Sequence, residues 1–322
     1  SNILSLTFYI LTCTFILILE ILEIDTSNIS NSHLVKIFKY RDEIYHFLLG
    51  ALLSAFTLFF LKSSSLSTSF IFMALLVSLL LLNEFEFFQA FGAIIRASLF
   101  KLCLVSYFLC MVPILLGQIG VVTFFLSLFI AAIAILGLHF YLKKKQVTKE
   151  KLKQLILIPA GIILGAFAIL YLFKAIPPVP LSVQYIGVYH KVKKQSDEYQ
   201  LTYTRSKWLF WQNGDQDFEA SKGDKVYVFT RIFAPGNFAD KIYLRWMKKN
   251  RQGDWETSDR IPLKITGGRG KGYRGYAYKS NYQPGRWKVM VETSNAQELG
   301  RISFEIIPKN NKQPIELKTD IH

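Results

Sequence analysis

Two kinds of hydrophobic pattern divide this chain of 322 residues. Up to about residue 175 the apolar residues run in long blocks. From Val183 onward they alternate with polar residues at a period of two, rich in aromatic and β-branched side chains. Between the two lies Ile176-Pro177-Pro178-Val179-Pro180. A run with Pro at three of four positions cannot continue a helix, so the last apolar block must stop there. Six blocks approach the roughly 20 residues that a bilayer-crossing helix needs: 3–22, 44–62, 68–83, 99–117, 120–142 and 154–174. The third is short. The amphipathic stretch behind it, Asn83 to Arg96, reads as an interfacial or re-entrant helix, or as an extension of the third span.

The alternating half predicts strands at Val183–Val192, Tyr199–Thr204, Lys207–Trp211, Lys225–Phe233, Lys241–Lys248, Ile261–Ile265, Tyr273–Lys279, Arg286–Thr293 and Ile302–Ile307. Turn signals such as Asn213-Gly214-Asp215 and Gln283-Pro284-Gly285 separate them. Short strands at this spacing indicate an all-β antiparallel sandwich of immunoglobulin-like type. Trp246, Trp287, Val289, Val291, Phe304 and Ile306 fall on inward faces. The expected organisation is a polytopic helical membrane domain over 1–175, a Pro-rich linker over 176–182, the sandwich over 183–308, and a mobile polar tail over 309–322.

Charge adds orientation. Formal charge is +5 over residues 1–180 and +10 over 181–322. Alternate connections between the spans carry eleven Lys and Arg on one side, among them Lys143, Lys144, Lys145, Lys149, Lys151 and Lys153, against Lys62 and Lys174 on the other. Basic connections stay cytoplasmic, so both termini and the sandwich are expected outside, in the periplasm if the cell has two membranes. Cys13, Cys103 and Cys110 all fall in apolar spans, which leaves the sandwich without a disulfide. The first span has no basic residue before it and ends on Glu20 and Glu23, so it reads as a span and not as a cleaved leader. The Ser at position 1 implies either removal of the initiator Met or missing upstream residues.

Candidate chemistry is sparse. Ionisable groups in lipid are costly and therefore suspect. Glu20, His46 and His139 sit near span ends, where snorkelling explains them, and Glu84, Glu86 and Arg96 form the more suggestive group. In the β half, an acid-free stretch from Arg260 to Val291 interleaves basic and aromatic residues. Within it, Arg269, Lys271, Arg274, Tyr276 and Tyr278 are the candidates for contact with an anion or glycan. Trp208 and Trp211, three apart, would point to opposite faces of a strand, one into the core and the other toward a stacking or protein interface. His190 has no nucleophile motif beside it, and Asp215, Asp217 and Glu219 read as a solvated turn. No cofactor or metal site is expected, nor a nucleic-acid partner for an external domain.

The segments Pro284-Gly285-Arg286-Trp287-Lys288-Val289-Met290-Val291-Glu292 and Leu299-Gly300-Arg301-Ile302-Ser303-Phe304-Glu305-Ile306, together with Gly272 to Lys279 and Ile176 to Leu181, resemble a bacterial family called "domain of unknown function 2914". The resemblance covers roughly residues 180–307. It implies an extracytoplasmic β domain on an inner-membrane protein, and implies no activity and no catalytic residues. The sequence is thus read as a non-enzymatic binding or assembly protein of the inner membrane. Its sandwich would contact a partner protein or an anionic glycan or lipid. The alternative is a membrane-embedded enzyme or transporter around Glu84, Glu86 and Arg96. The orientation is testable: a cysteine placed at Gln118 should react with a membrane-impermeant maleimide added to intact cells, and one at Gln146 should not. The reverse pattern would invert the topology.

Overall fold

The computed structural model describes residues 2–23, 40–64, 66–85, 92–195, 198–206, 208–209, 211–221, 223–235, 238–266, 272–309 and 317–321. They form two units, one helical and one of β-sheets.

The helical unit contains α1 (Asn2–Ile21), α2 (Arg41–Ser63), α3 (Leu66–Glu84), α4 (Gly92–Leu116) and α5 (Val121–Lys144). A last rod follows, made of α6 (Lys149–Leu152), one π-helical turn (Lys153–Leu157) and α7 (Ile158–Leu172). α1, α2, α4, α5 and the last rod are long and apolar enough to cross a membrane, and α3 contributes the shorter apolar stretch Ser69–Leu81. Large apolar side chains such as Phe8, Phe129, Ile162 and Leu172 are exposed on these helices. Helices apolar on every face suit a lipid environment. Inside, rings lock the helices together: Phe72 meets Phe60 and Phe167 edge-on at 5.0 and 5.8 Å, and Phe124 stacks on Tyr171 at 3.8 Å. Of the amphipathic stretch, Asn83 and Glu84 end α3 and Gly92 to Arg96 begin α4, while 86–91 lie outside the described residues.

One proline shapes the last rod. Pro159 has no N–H to return to the carbonyl of Leu155, four residues earlier, and its ring crowds that carbonyl. The chain widens into the π turn at this point, and Lys101 of α4 donates its ammonium to Leu155 O at 2.6 Å and to Ala97 O at 2.9 Å. Lys101 is fully buried about two turns inside α4, so it is not a connection residue as the charge pattern implied.

In the β unit three sheets stack. The middle one has strand order β1–β5–β8, from β1 (Ser182–Tyr189), β5 (Val226–Phe233) and β8 (Tyr273–Lys279). On one face it meets a five-stranded sheet ordered β4–β10–β9–β6–β7, from β4 (Asp217–Ala220), β6 (Ala239–Lys249), β7 (Trp255–Thr266), β9 (Gly285–Thr293) and β10 (Glu298–Pro308). On the other it is covered by β11–β3–β2, from β2 (Lys191–Gln195), β3 (Glu198–Tyr203) and β11 (Lys318–Ile321). Period two explains both interfaces. Val226, Val228 and Ile232 of β5 join Trp246, Val289, Val291 and Phe304 in a mixed aliphatic and aromatic core, and the intervening Phe229 joins Tyr189, Tyr199, Leu201 and Tyr203 in a mostly aromatic one. Pro262 sits on β7, an edge strand, where its missing N–H is tolerated.

Four details depart from the expected antiparallel sandwich. The β10–β4 pairing is parallel, so the domain is mixed. The first predicted strand breaks at His190, because the chain leaves the middle sheet to start the cover sheet. Within the predicted strand Lys207–Trp211, the described residues Trp208, Leu209 and Trp211 lie in turns and not in a strand. Lys318–Ile321, inside the predicted mobile tail, pairs with β3.

The Pro159–Lys101 relation is open to a double-mutant cycle. Lys101→Met should destabilise the helical unit by about 1–3 kcal/mol by leaving a buried carbonyl unmet. The same change should matter less in a Pro159→Ala background, where the helix can satisfy Leu155 itself. The three buried cysteines make a thiol-reactive fluorophore a reporter of unfolding in detergent. Equal effects in the two backgrounds would refute the relation.

Candidate functional site

Several described residues of the basic strand stretch have partners within the domain. Arg274 is buried, its guanidinium 5.7 Å over the Tyr199 ring, and its carbonyl accepts the Tyr199 hydroxyl at 3.4 Å. Tyr276 is half-buried against Tyr199 and Tyr227, at ring distances of 6.2 and 6.1 Å. Tyr278, 48% exposed, carries the Lys225 ammonium 4.5 Å over its ring. Arg269 and Lys271 lie outside the described residues. The stretch lacks acids in sequence, yet the sheet brings acids to it from elsewhere. Glu292, fully buried, receives Arg260 at 2.7 Å and Arg245 at 2.8 Å, while Arg260 also donates to Thr293 O and Ser294 O and covers Tyr243 at 3.9 Å. Lys279 pairs with Asp259, and Arg286 lies 3.8 Å from Glu305. The Lys288 ammonium sits 4.2 Å over Trp255, and burial, with help from Arg301, holds its pKa below the ordinary lysine value.

The membrane candidates also regroup. Arg96 pairs with Glu20 of α1; Glu84 ends α3 with its side chain outside the described part, and Glu86 lies outside the described residues. Lys151 of α6 reaches the same end of α1, donating to Ile21 O at 2.8 Å and to Glu23 at 2.6 Å. A cation there meets the partial negative charge of a helix C-terminus. His46 and His139 are half-buried on α2 and α5, the latter against the Phe140 ring at 5.5 Å. Among the described residues no three metal-ligating side chains converge.

Trp208 and Trp211 are both on the surface, 84% and 65% exposed, so neither enters the core. They sit on a turn closed by Leu209 N–H to Ser206 O at 3.1 Å and Gln212 N–H to Leu209 O at 3.0 Å. Asp215 anchors the base of this turn. It is 1% exposed, and its carboxylate accepts the amides of Thr204 and Arg205 at 2.7 to 3.0 Å. The solvated-turn reading of Asp215 is therefore wrong, although Asp217 and Glu219 of β4 are exposed. Gly214, with φ +71°, bridges Val188 so closely that a Cβ would lie 1.9 Å from Val188 O. His190 stacks on Phe218 at 4.1 Å and approaches Asp215 at 3.4 Å.

Beside this turn a groove of about 360 Å³ crosses the outer side of the five-stranded sheet. Gln212, Gln216 and Asp217 line one end, Lys249 and Trp255 the other, and Arg286, Ser303 and Glu305 lie between. It lies toward the end of β1 remote from Ser182, since the Asn213-Gly214-Asp215 segment hydrogen-bonds Val188. Sequence reasoning missed the groove because its residues come from β4, β6, β7, β9 and β10 and share no motif.

Burial holds the His190 pKa below its ordinary 6.5. The unfolded chain then binds more protons between the folded value and 6.5, so this group's contribution to stability is present above 6.5 and lost as pH falls through that window. Burial shifts Asp215 upward, in the opposite sense, so a His190 variant is needed to isolate the imidazole. The protection factors of the Thr204 and Arg205 amides, which correct hydrogen exchange for the slowing of the intrinsic rate with falling pH, should decrease on acidification below pH 6.5, and His190→Gln should remove that response. A pH response unchanged in His190→Gln would refute it.

No curated protein matches the chain. Among solved structures it is similar to an immunoglobulin-like protein from Pseudomonas aeruginosa, at 14% identity and TM-score 0.24, over 40% of this chain and 98% of that one. It is also similar to a β-glucosidase from Listeria innocua in complex with glucose, at 14% identity and TM-score 0.22, over 35% of this chain and 17% of that one. A Bifidobacterium adolescentis GH3 β-glucosidase matches at 8% identity and TM-score 0.20, over 42% and 19%. The chain thus spans less than a fifth of either enzyme. Residues 239–306 in the C-terminal region, from the start of β6 into β10, match the model of a family described as Protein of unknown function (DUF2914).

Proposed function

We propose that this chain is a multi-pass protein of the bacterial inner membrane that presents a periplasmic, immunoglobulin-like β domain as a binding or assembly module, without catalysis of its own. The carrying observation is the open groove on the five-stranded sheet beside a turn that exposes two tryptophans. Solvent-facing Trp side chains of this size are characteristic of contact surfaces. Arg274 and Tyr276 are held by partners within the domain, and Arg286 of the same stretch lines the groove, so the proposed contact lies at the groove. The His–Asp pair argues for structure over catalysis. Asp215 is closed off, and its oxygens are occupied by backbone amides.

A second reading, a transport or enzymatic site among the helices, draws on Glu20, Arg96 and Lys101. Each already has a structural partner, which favours the first reading.

Mild-detergent affinity purification from native membranes, followed by mass spectrometry of proteins, lipids and glycans, tests the proposal. A protein or envelope component should co-purify with the native chain and be lost from a Trp208→Ala/Trp211→Ala variant. An identical profile for the two chains would remove the turn from the contact surface.

A further inference from the structure

We propose that the groove binds a neutral, hydroxyl-rich glycan chain, an inference that rests on the binding-module reading above and gives it a ligand class. Lys249 and Arg286 are balanced by Asp217 and Glu305, so the lining has no net formal charge and offers nothing special to a polyanion. It is instead dense in groups that pair with hydroxyls. Gln212 and Gln216 each present an amide that both donates and accepts, Asp217 and Glu305 accept at two oxygens, Arg286 donates as a planar fork, and Ser303 does both. A ring of alternating hydroxyls is matched by such a mixed set, whereas the centre of a protein interface is depleted of charge and rich in accessible apolar surface.

The apolar contribution fits the same ligand. Trp287 and Phe304 border the groove but are buried, so Trp255 is its aromatic wall. The Lys288 ammonium over the Trp255 ring fixes that indole in place. A rigid aromatic face beside convergent polar groups stacks on the C–H face of a sugar while the edges are hydrogen-bonded. The groove lies open along the sheet, and Trp211, immediately before Gln212, is exposed beyond it. A chain of several sugars could therefore run past the groove onto the tryptophan turn. The volume, about 360 Å³, falls in the range of small-ligand sites.

The experiment uses the full chain in lipid nanodiscs, titrated calorimetrically with three neutral probes, chitotetraose, cellotetraose and maltotetraose, and with an acidic one, a heparin tetrasaccharide. At least one neutral probe should bind, and the acidic probe should bind no more tightly. Trp255→Ala and the milder Glu305→Gln should each weaken binding at least tenfold with an unchanged circular dichroism spectrum. Lys193→Ala, on the exposed side of β2, should leave it unchanged. Absence of binding by every neutral probe, binding of the acidic probe alone, or indifference to both groove variants would overturn the glycan inference. If no glycan binds but a stoichiometric protein co-purifies and is lost in the same groove variants, the binding-module reading survives and the ligand is a polypeptide. If neither occurs, both fall.

Discussion

The buried carboxylate of Asp215 is the interaction on which the candidate site depends. It accepts the backbone amides of Thr204 and Arg205, while its own amide donates to Val188 O at 2.8 Å. One residue thereby ties the end of β3 through its side chain to the far end of β1 through its backbone, at the approach to β4. These three connections fix where the tryptophan turn projects and where Gln212, Gln216 and Asp217 meet the five-stranded sheet. Gly214 is a condition of this arrangement, because any side chain there would collide with the β1 backbone. An isolated carboxylate is expensive to bury, and the backbone amides are what make its burial tolerable.

The same logic, a polar group buried because it meets a specific need, runs through the rest of the molecule. Pro159 deprives Leu155 of a helical partner, and Lys101 supplies one from a neighbouring helix. Glu292 neutralises two arginines whose strands would otherwise place like charges side by side. Arg274 uses its charge over an aromatic ring inside the domain. Most of the charges that look functional in the sequence are consumed in this way. Among the described residues, the tryptophan turn and the mixed polar lining of the groove lie on the surface.

The architecture was largely legible from the chain. Continuous apolar blocks, the proline run and the switch to period two gave the helical half, the boundary and most strands, including the inward positions of Trp246, Val289, Val291 and Phe304. The errors share a cause: contacts distant in sequence. β4 escaped notice because Asp217–Ala220 is four residues long and pairs in parallel with β10, eighty-odd positions later. The Lys207–Trp211 stretch has strand-like composition, yet its described residues Trp208, Leu209 and Trp211 lie in turns next to the Asp215 clasp. Arg260 to Val291 looked like a basic surface because Glu292 lies one residue beyond it and Asp259 one residue before. Lys101 looked like an interfacial charge because nothing local shows that Pro159 will orphan a carbonyl on another helix. The site was the least legible part, since a groove assembled from five strands has no linear signature.

The most direct test of the central claim, that contact is made at the groove end of the β domain, is site-specific photo-crosslinking in native membranes. A photoreactive amino acid placed at Gln212 is compared with one at Lys193 on the exposed side of β2. The account predicts a discrete adduct from Gln212 and none from Lys193. An adduct from Lys193 with none from Gln212 would place the working surface on the cover sheet and contradict it.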